Sequence, residues 1–570
     1  YRHCPTPGGP IHRLASAGGS RDILADCTSY AIRPISRHAR AAFSPSGAAL
    51  IMPLAPTIRQ TLVTLFLLLA TISTGQIASA QTPVPNAAYD PDSLHIIKPG
   101  LREAVAAELP SGLTVYDIEV TFPEDPESRV LSGKVTVTYT NTTGDTLAEL
   151  PFRLYANSAA EGEDAVTMDS VTIDGSSVEP ELSERSSVAM LSLPTPLAPE
   201  ESTSIEVAFT TTVPVDEPAH YGIFNYASRT DTWSLAHWYP VVAGRDPEGG
   251  WMLEPTSRNG DPVYTETGMY TVRITAPEDL QLMTSGVEIA SEPAGDGTVT
   301  TTWSAAPSRD FVMLADADMQ SVTEDVAGTT VTSWFHDGHG PAGEATLLWT
   351  VQSVELFNEL LGEYPFVQLQ AVEAAMFNAA GVEYPQLFTI SDGYYQSAPD
   401  LDEHGYFEFT VAHEVVHQWF YSIVGNNQYD SAFIDEGLTN YLSSRVYFSE
   451  LYGDEVGREV FGNNVARPFR YMIEGNMDVV VDTPTDAFPS ERDYVNAAYV
   501  KAPMGFGAIH DEMGDEAFFG GLQAYVAEFR FEVATPADML RAFEAAADTE
   551  VQPIWTHWFE GRNGSLDIRD

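Results

Sequence analysis

His413 and His417 stand in the run Thr410-Val411-Ala412-His413-Glu414-Val415-Val416-His417-Gln418-Trp419-Phe420. On a helix, residues four apart lie one above the other on the same face, so the two imidazoles can share one metal ion. Glu414 then stands beside that ion as a carboxylate placed to accept a proton. The pair alone is incomplete, because a catalytic zinc usually takes three protein ligands and keeps a fourth position open for water. Glu436 supplies the third: eighteen residues separate it from His417, and it opens Glu436-Gly437-Leu438-Thr439-Asn440-Tyr441. Two neutral nitrogens and one anionic oxygen suit Zn²⁺, one per chain, although Co²⁺ or Mn²⁺ could occupy the same cage. Such an ion brings the pKa of its water toward ~7, so the chemistry on offer is hydrolysis by an activated water.

These groups need a scaffold, and the hydrophobic pattern describes one. Val135-Thr136-Val137-Thr138-Tyr139 alternates with period two and runs into the turn-rich Asn141-Thr142-Thr143-Gly144. Ile205 to Phe209, Val272 to Ile274 and Val299 to Trp303 repeat the alternation between Gly, Pro and Asp breaks. That is the pattern of an all-β domain with half-buried strands. After about residue 340 the period changes: Leu347, Val351, Val354 and Leu361 follow helical spacing, with Gly362 as the stop. Val367, Leu369 and Ala371 return briefly to strand spacing, and residues 404–450 and 505–560 are mainly helical in composition. The expected architecture is an all-β N-terminal domain over residues 110–337, followed by an α+β domain over 338–570.

Charge and the N-terminal region bound the rest. Residues 1–51 hold six arginines against two acidic residues, together with both cysteines, Cys4 and Cys27. Met52 then opens a stretch with the pattern of an export signal. Arg59 is the charged head, Leu62 to Ile72 the short apolar core, and Ala78-Ser79-Ala80 a small-residue cleavage site before Gln81. The expectation is an upstream mis-translated segment over 1–51, a signal peptide over 52–80 and a linker over 81–109. The mature protein would then be secreted or periplasmic, with no membrane anchor, since so short an apolar core spans a bilayer poorly. From Gln81 onward 21 basic residues face 79 acidic ones, an excess of 58 negative charges, and only Lys98, Lys134 and Lys501 are lysines. Such an imbalance strains a compact state unless salt screens it, and it resembles the surfaces of proteins from salt-loving organisms. A cationic substrate or calcium is the functional alternative. Nucleic acid is disfavoured as a partner, because phosphate contacts need a basic footprint.

The motif with its distant glutamate resembles the M1 (gluzincin) zinc aminopeptidases, the family of aminopeptidase N and leukotriene A4 hydrolase. Ala380-Gly381-Val382-Glu383-Tyr384-Pro385 is similar to that family's Gly-x-Met-Glu-Asn segment, and Tyr499-Val500-Lys501 to its Tyr-x-Lys-Gly. The resemblance implies a thermolysin-like fold for 338–570 and roles for named residues. His413, His417 and Glu436 would be zinc ligands, Glu414 the base and Tyr499 the oxyanion donor. Gly381, Val382, Glu383 and Tyr384 would bind substrate, with Glu383 on an edge strand capturing a free α-amino group. An ammonium of pKa ~8 is largely charged at neutral pH, so a fixed carboxylate binds it and sets the register of the first peptide bond. Tyr494 is the competing phenol, five residues away, and Lys501 favours Tyr499.

The departures are Val382 for methionine, Tyr384 for asparagine, Phe433 for tryptophan and Ala502 for glycine; the first two would lie near the pocket for the substrate's N-terminal side chain and bear on specificity more than on reaction type. Only 71 residues follow Tyr499, enough to finish a thermolysin-like domain but not the large C-terminal helical domain of many members. A more open cleft is expected. The family's amine-site glutamine from the N-terminal domain has no clear counterpart; Ala236-His237-Trp238-Tyr239-Pro240 is the nearest landmark. His336-Asp337-Gly338-His339 reads as a surface loop before it reads as a second metal site. The implied function is aminopeptidase activity on peptides with a free N-terminal amine. The alternatives are a catalytically silent peptide-binding or scaffold protein on the same fold, and a zinc endopeptidase.

Overall fold

The computed structural model describes residues 89–568 except 126, 160–163, 247–248, 261–262, 296 and 398–403. The expected mis-translated segment 1–51, the expected signal peptide 52–80 and the beginning of the expected linker 81–109 lie outside the described residues. No helix among the described residues is long and apolar enough to cross a membrane.

Period-two alternation becomes strands because successive side chains point to opposite faces. All four alternating runs fall in one eight-stranded sheet. Its order is Val287–Gly295, Thr298–Ser308, Gly268–Pro277, Thr114–Thr121, Val130–Thr140, Ser202–Thr212, Val166–Ile173, Ser176–Val178. The register puts Val272 beside Ile118, Ile118 beside Val135 and Val135 beside Val207. Each of the four is fully buried, so they form one apolar stripe across the sheet. Two four-stranded sheets complete this β module, and their Phe152, Leu191, Leu235 and Met313 share its core.

The second module is built on a five-stranded sheet in the order Gln320–Val326, Thr329–Phe335, Gln368–Ala374, Leu387–Ser391, Gly381–Tyr384. Its first two strands precede residue 338, so the sheet draws on both sides of the expected domain division. Among the described residues Gly381–Tyr384 pairs only with Leu387–Ser391, antiparallel, and is therefore an edge. The long helix Gly340–Leu361 covers the sheet and ends where Gly362 takes φ 104°, a conformation that favours glycine. It buries Trp349 edge-to-face against Phe407 of the helix Tyr406–Val416, with ring centres 5.1 Å apart. Helices Ala502–Met513, Asp515–Glu528 and Pro536–Ala546 complete the module. Leu94, Ile96, Ile97 and Val105, from the stretch expected to be a linker, are fully buried in the same core as Val354, Leu369 and Trp419.

Two charges, the buried Arg309 and the half-buried His336, join the modules. Arg309 donates through Nε to the Tyr421 carbonyl (2.6 Å), through Nη1 to that of Thr265 (3.2 Å) and through Nη2 to that of Glu532. A Cβ on Gly425 would lie 2.3 Å from its guanidinium carbon, so glycine is required there. His336 is not in a plain surface loop. Its ring lies 3.3 Å from Asp316 of the β module and 3.3 Å from Glu373 of the second sheet, both carboxylates 1% exposed. Thr232 also donates to Asp316, at 2.6 Å, and His339 Nδ1 lies 2.9 Å from Glu373. Burial opposes a charged His336, but hydrogen bonds and attraction from Asp316 and Glu373 prevail and push its pKa up to about 9. A folded-state pKa above the unfolded value adds stability that is complete below about 6.5 and lost as pH rises through the folded pKa. Asp316 and Glu373 are held below the usual carboxylate range, so their share is lost in acid instead. Stability should therefore fall between pH 7 and 10. A His336→Gln variant should start less stable and lack that alkaline decline in urea titrations; parallel curves for variant and parent would contradict this.

Candidate active site

The helix Tyr406–Val416 buries every residue from Phe407 onward, and His417 continues it with helical φ and ψ. One of its faces turns Tyr406, Thr410, His413 and Glu414 toward a cavity of about 500 Å³. Glu436 arrives from the π-helical turn Phe433–Gly437 and Tyr499 from the π-helical turn Asn496–Lys501. Such a turn carries one extra residue, which rotates the side chains after it by about 100° relative to a regular helix. Close packing at the first is enforced by Gly437, where a Cβ would lie 2.5 Å from that of Ala502.

The three expected ligands converge. His413 Nε2 lies 3.1 Å from His417 Nε2 and 3.2 Å from Glu436 Oε2, and His417 Nε2 lies 3.4 Å from the same oxygen. A tetrahedral ion about 2.0 Å from each donor would need donors about 3.3 Å apart, so the residues fit zinc. His417 Nδ1 donates to the Phe420 carbonyl at 3.1 Å, which leaves Nε2 with its lone pair toward the other two donors. Two imidazole lone pairs facing each other at this distance repel unless a proton or a cation lies between them.

The electrostatics ask for the same positive charge. Burial disfavours a charged His417, yet Glu383, Glu436 and Glu414 outweigh it and hold the imidazolium well above its usual range. Burial dominates at His413 and lowers it, with Glu436 opposing. Burial would raise Glu436, but hydrogen bonds from His413 and His417 hold it below the ordinary carboxylate range. Four carboxylates, Glu383, Glu414, Glu436 and Glu491, line the cavity, and no lysine or arginine does among the described residues.

Glu414 is 4% exposed and lies against the edge strand, because Gly381 has no side chain. A Cβ on Gly381 would come within 2.5 Å of Glu414 Oε1. Glu383 is 6% exposed and lines the cavity, and burial pushes its carboxyl up to about 7. Val382 also lines the cavity, whereas Tyr384 is outside it. Tyr384 is 3% exposed in a core cluster with Ile223, Ala236 and Leu387, and its carbonyl accepts from Gln418 Nε2 at 2.9 Å. The Tyr499 hydroxyl donates to Glu436 Oε1, and Asn440 Nδ2 fixes the Tyr499 carbonyl at 2.7 Å. Tyr494 lines the cavity as well, 5.9 Å from Tyr499 ring to ring. Lys501 is fully buried and donates to Asp478 (2.7 Å) and to the Val479 and Gly561 carbonyls (2.6 Å each), which anchors the turn carrying Tyr499. The Ala236–Pro240 landmark does not reach the cavity: Trp238 and Tyr239 are core residues, and His237 pairs with Asp310 at 3.5 Å.

Several residues of the site carry no sequence signal. Asn440, Tyr406, Phe409 and Thr410 line the cavity through their place on a helix face, and Tyr221 and Gly260 come from the β module. His220, Tyr221 and Gly222 are all left-handed, at φ 43°, 61° and 80°. That strained segment turns Tyr221 toward the cavity.

Comparison with known proteins gives a consistent picture. Residues 346–558 match the peptidase family M1 domain. Aminopeptidase M1-B of Oryza sativa is 23% identical over 251 residues, 40% of this chain and 27% of the relative. Leukotriene A-4 hydrolase of Xenopus laevis is 25% identical over 164 residues, 26% of each chain. The matched part of this chain spans about a third or less of those relatives. An M1 zinc metallopeptidase from Deinococcus radiodurans has the same fold, with TM-score 0.57 and 18% identity over 80% of this chain and 95% of that one. A mutant of that enzyme, with TM-score 0.56 and 19% identity over 80% of this chain and 96% of that one, was solved bound to a Tyr-Ser-Ala substrate.

If the three donors form one metal centre, Glu436→Ala should weaken zinc binding at least about 100-fold, the upper end of what losing even an outer partner costs. Competition with a chelating dye measures this, and stoichiometric, tight zinc in the variant would refute the assignment.

Proposed function

We propose, from the match of residues 346–558 to the peptidase family M1 domain, that this chain is a zinc-dependent aminopeptidase removing the N-terminal residue of peptides. The observation that carries this reading is the convergence of His413, His417 and Glu436 within 3.1–3.4 Å, with Glu383 and Glu414 beside them. When bound, zinc supplies Lewis acidity that makes a water nucleophilic near neutral pH.

The chain's own groups do the remainder. Glu383 receives the substrate's α-ammonium, and a cation there compensates the burial that raises its carboxyl. The strand Gly381–Tyr384 is paired with Leu387–Ser391 on one side, so an extended peptide can add along its other side, which fixes the distance from the ammonium to the first peptide bond. Glu414 accepts the proton of the attacking water and passes it to the departing amine. Tyr499 donates its hydroxyl to the oxygen that gains charge as the carbonyl becomes tetrahedral. The carboxylate lining draws amine-bearing ends toward the site and repels carboxylate ends.

A panel of aminoacyl-arylamides and their N-acetylated counterparts tests the reading. Glu414→Gln should keep zinc and lose turnover by at least about 10³-fold, and Tyr499→Phe should lose about 10²–10³-fold. Glu383→Ala should raise KM for free-amine substrates. Equal cleavage of acetylated and free peptides by the parent protein would replace the exopeptidase reading with an endopeptidase one.

Export and adaptation to salt belong to the same proposal. They rest on the pattern of residues 52–80 and on the excess of 58 negative charges from Gln81 onward. Mass spectrometry of the natural protein should find its N-terminus near Gln81, and its melting temperature should rise between dilute and molar salt; residues 1–51 in the native protein, or a flat salt response, would contradict these points.

A further inference from the structure

Behind Glu383 lies a polar cluster that the metal triad does not use. Asp435, fully buried, precedes Glu436 on its π-helical turn and accepts the Glu436 backbone N–H through Oδ1 at 2.9 Å. A carboxylate oxygen of Asp435 lies within 4.8 Å of one on Glu383, and both lie within that distance of a His417 nitrogen. Two carboxylates this close repel, and removal from water strengthens the repulsion. Gln428 stands between them. Its Nε2 donates to Asp435 Oδ2 at 2.9 Å and to Glu383 Oε1 at 3.4 Å.

Gln428 is 4% exposed and opens the short helix Gln428–Ser431, whose first turn is capped by the Asn427 side chain. A carboxamide has two N–H donors. Here each faces a carboxylate, so a flipped amide would set its oxygen against two anions. The Asn427 cap and the bond to Asp435 together restrain Gln428.

We propose that Gln428, held by Asp435, is the positioning residue that aims Glu383 into the cavity as the receptor of the substrate's α-ammonium. This rests on the aminopeptidase reading. Glu383 stands on a four-residue edge strand, and its side chain has several staggered states to choose from. The donor on Oε1 selects one of them and stops the carboxylate from turning toward His417. It also favours the charged form of Glu383 against burial, which an ammonium partner needs. The β-module residues that line the cavity, Tyr221 and Gly260, carry no amide. Gln428 itself is not among the residues that line the cavity, so it acts on the receiving carboxylate rather than on the amine.

The experiment measures binding of leucinamide and N-acetylleucinamide to the zinc-loaded full chain by calorimetry, with arylamide kinetics in parallel. Gln428→Leu should weaken leucinamide about tenfold, the scale of one hydrogen bond to a charged group. KM should rise by a similar factor, while kcat stays within about threefold and zinc content is unchanged. In a Glu383→Ala background Gln428→Leu should add nothing, because the group it positions is gone; a purely structural role would weaken binding in both backgrounds. Unchanged leucinamide binding in Gln428→Leu, or the same loss in both backgrounds, overturns the proposal. If Gln428→Leu does not fold, Gln428→Met is read in the same assay, and failure of both to fold assigns the amide to stability and also overturns it. A parent protein that binds leucinamide no better than its acetylated form would sink the aminopeptidase reading itself. Equal discrimination by parent and variant would sink only this inference.

Discussion

The site depends on a positive charge at the point where His413 Nε2, His417 Nε2 and Glu436 Oε2 meet. Three donors within 3.1–3.4 Å of one another, all buried, are tolerable only around a cation or a shared proton. The surroundings raise that demand, since Glu383, Glu414 and Asp435 are also buried nearby. Removing several carboxylates from water costs far more than their hydrogen bonds return unless positive charge compensates. On the proposed reading, a divalent ion would answer the triad and a substrate ammonium would answer Glu383. Binding and charge balance are thus one problem in this cavity.

Rigid supports hold these groups in place. His417 is oriented by the Phe420 carbonyl, Glu436 by its π-helical turn, and Tyr499 by a turn that buried Lys501 and Asn440 tie down. Gly381 contributes by having no side chain, which lets Glu414 lie against the edge strand where a peptide would pair. Each support lies outside the reacting centre and fixes an angle or a distance inside it. Such fixed geometry is what lets polar groups act without reorganising during the reaction.

The β module contributes little chemistry and much constraint. It places Tyr221 and Gly260 at the cavity, and it is joined to the catalytic module by Arg309 and the His336 cluster. Both joints are charges satisfied across the boundary, buried Arg309 by carbonyls and half-buried His336 by two buried acids. Breaking either would leave polar groups unpaired in a low-dielectric interior, which favours one relative placement of the modules.

The edge position of Glu383 was implied by the family resemblance, whereas spacing along the chain was enough to single out His413, Glu414, His417 and Glu436, the alternating strands, and the long helix with its stop at Gly362. These follow from periodicities of 3.6 and 2 residues and from local stop signals, which act over short stretches. Other features depended on segments far apart in sequence meeting in space. Gln428 met Glu383 and Asp435, Tyr384 turned into the core instead of the cavity, and His336 became an interdomain ion pair rather than loop surface. The strands 320–335 joined a sheet on the far side of the expected division, because strand pairing ignores sequence distance once loops close. Residue type and spacing decide which groups can do chemistry; only packing decides which neighbours aim them, since burial and hydrogen-bond partners are properties of the folded neighbourhood and not of the local pattern.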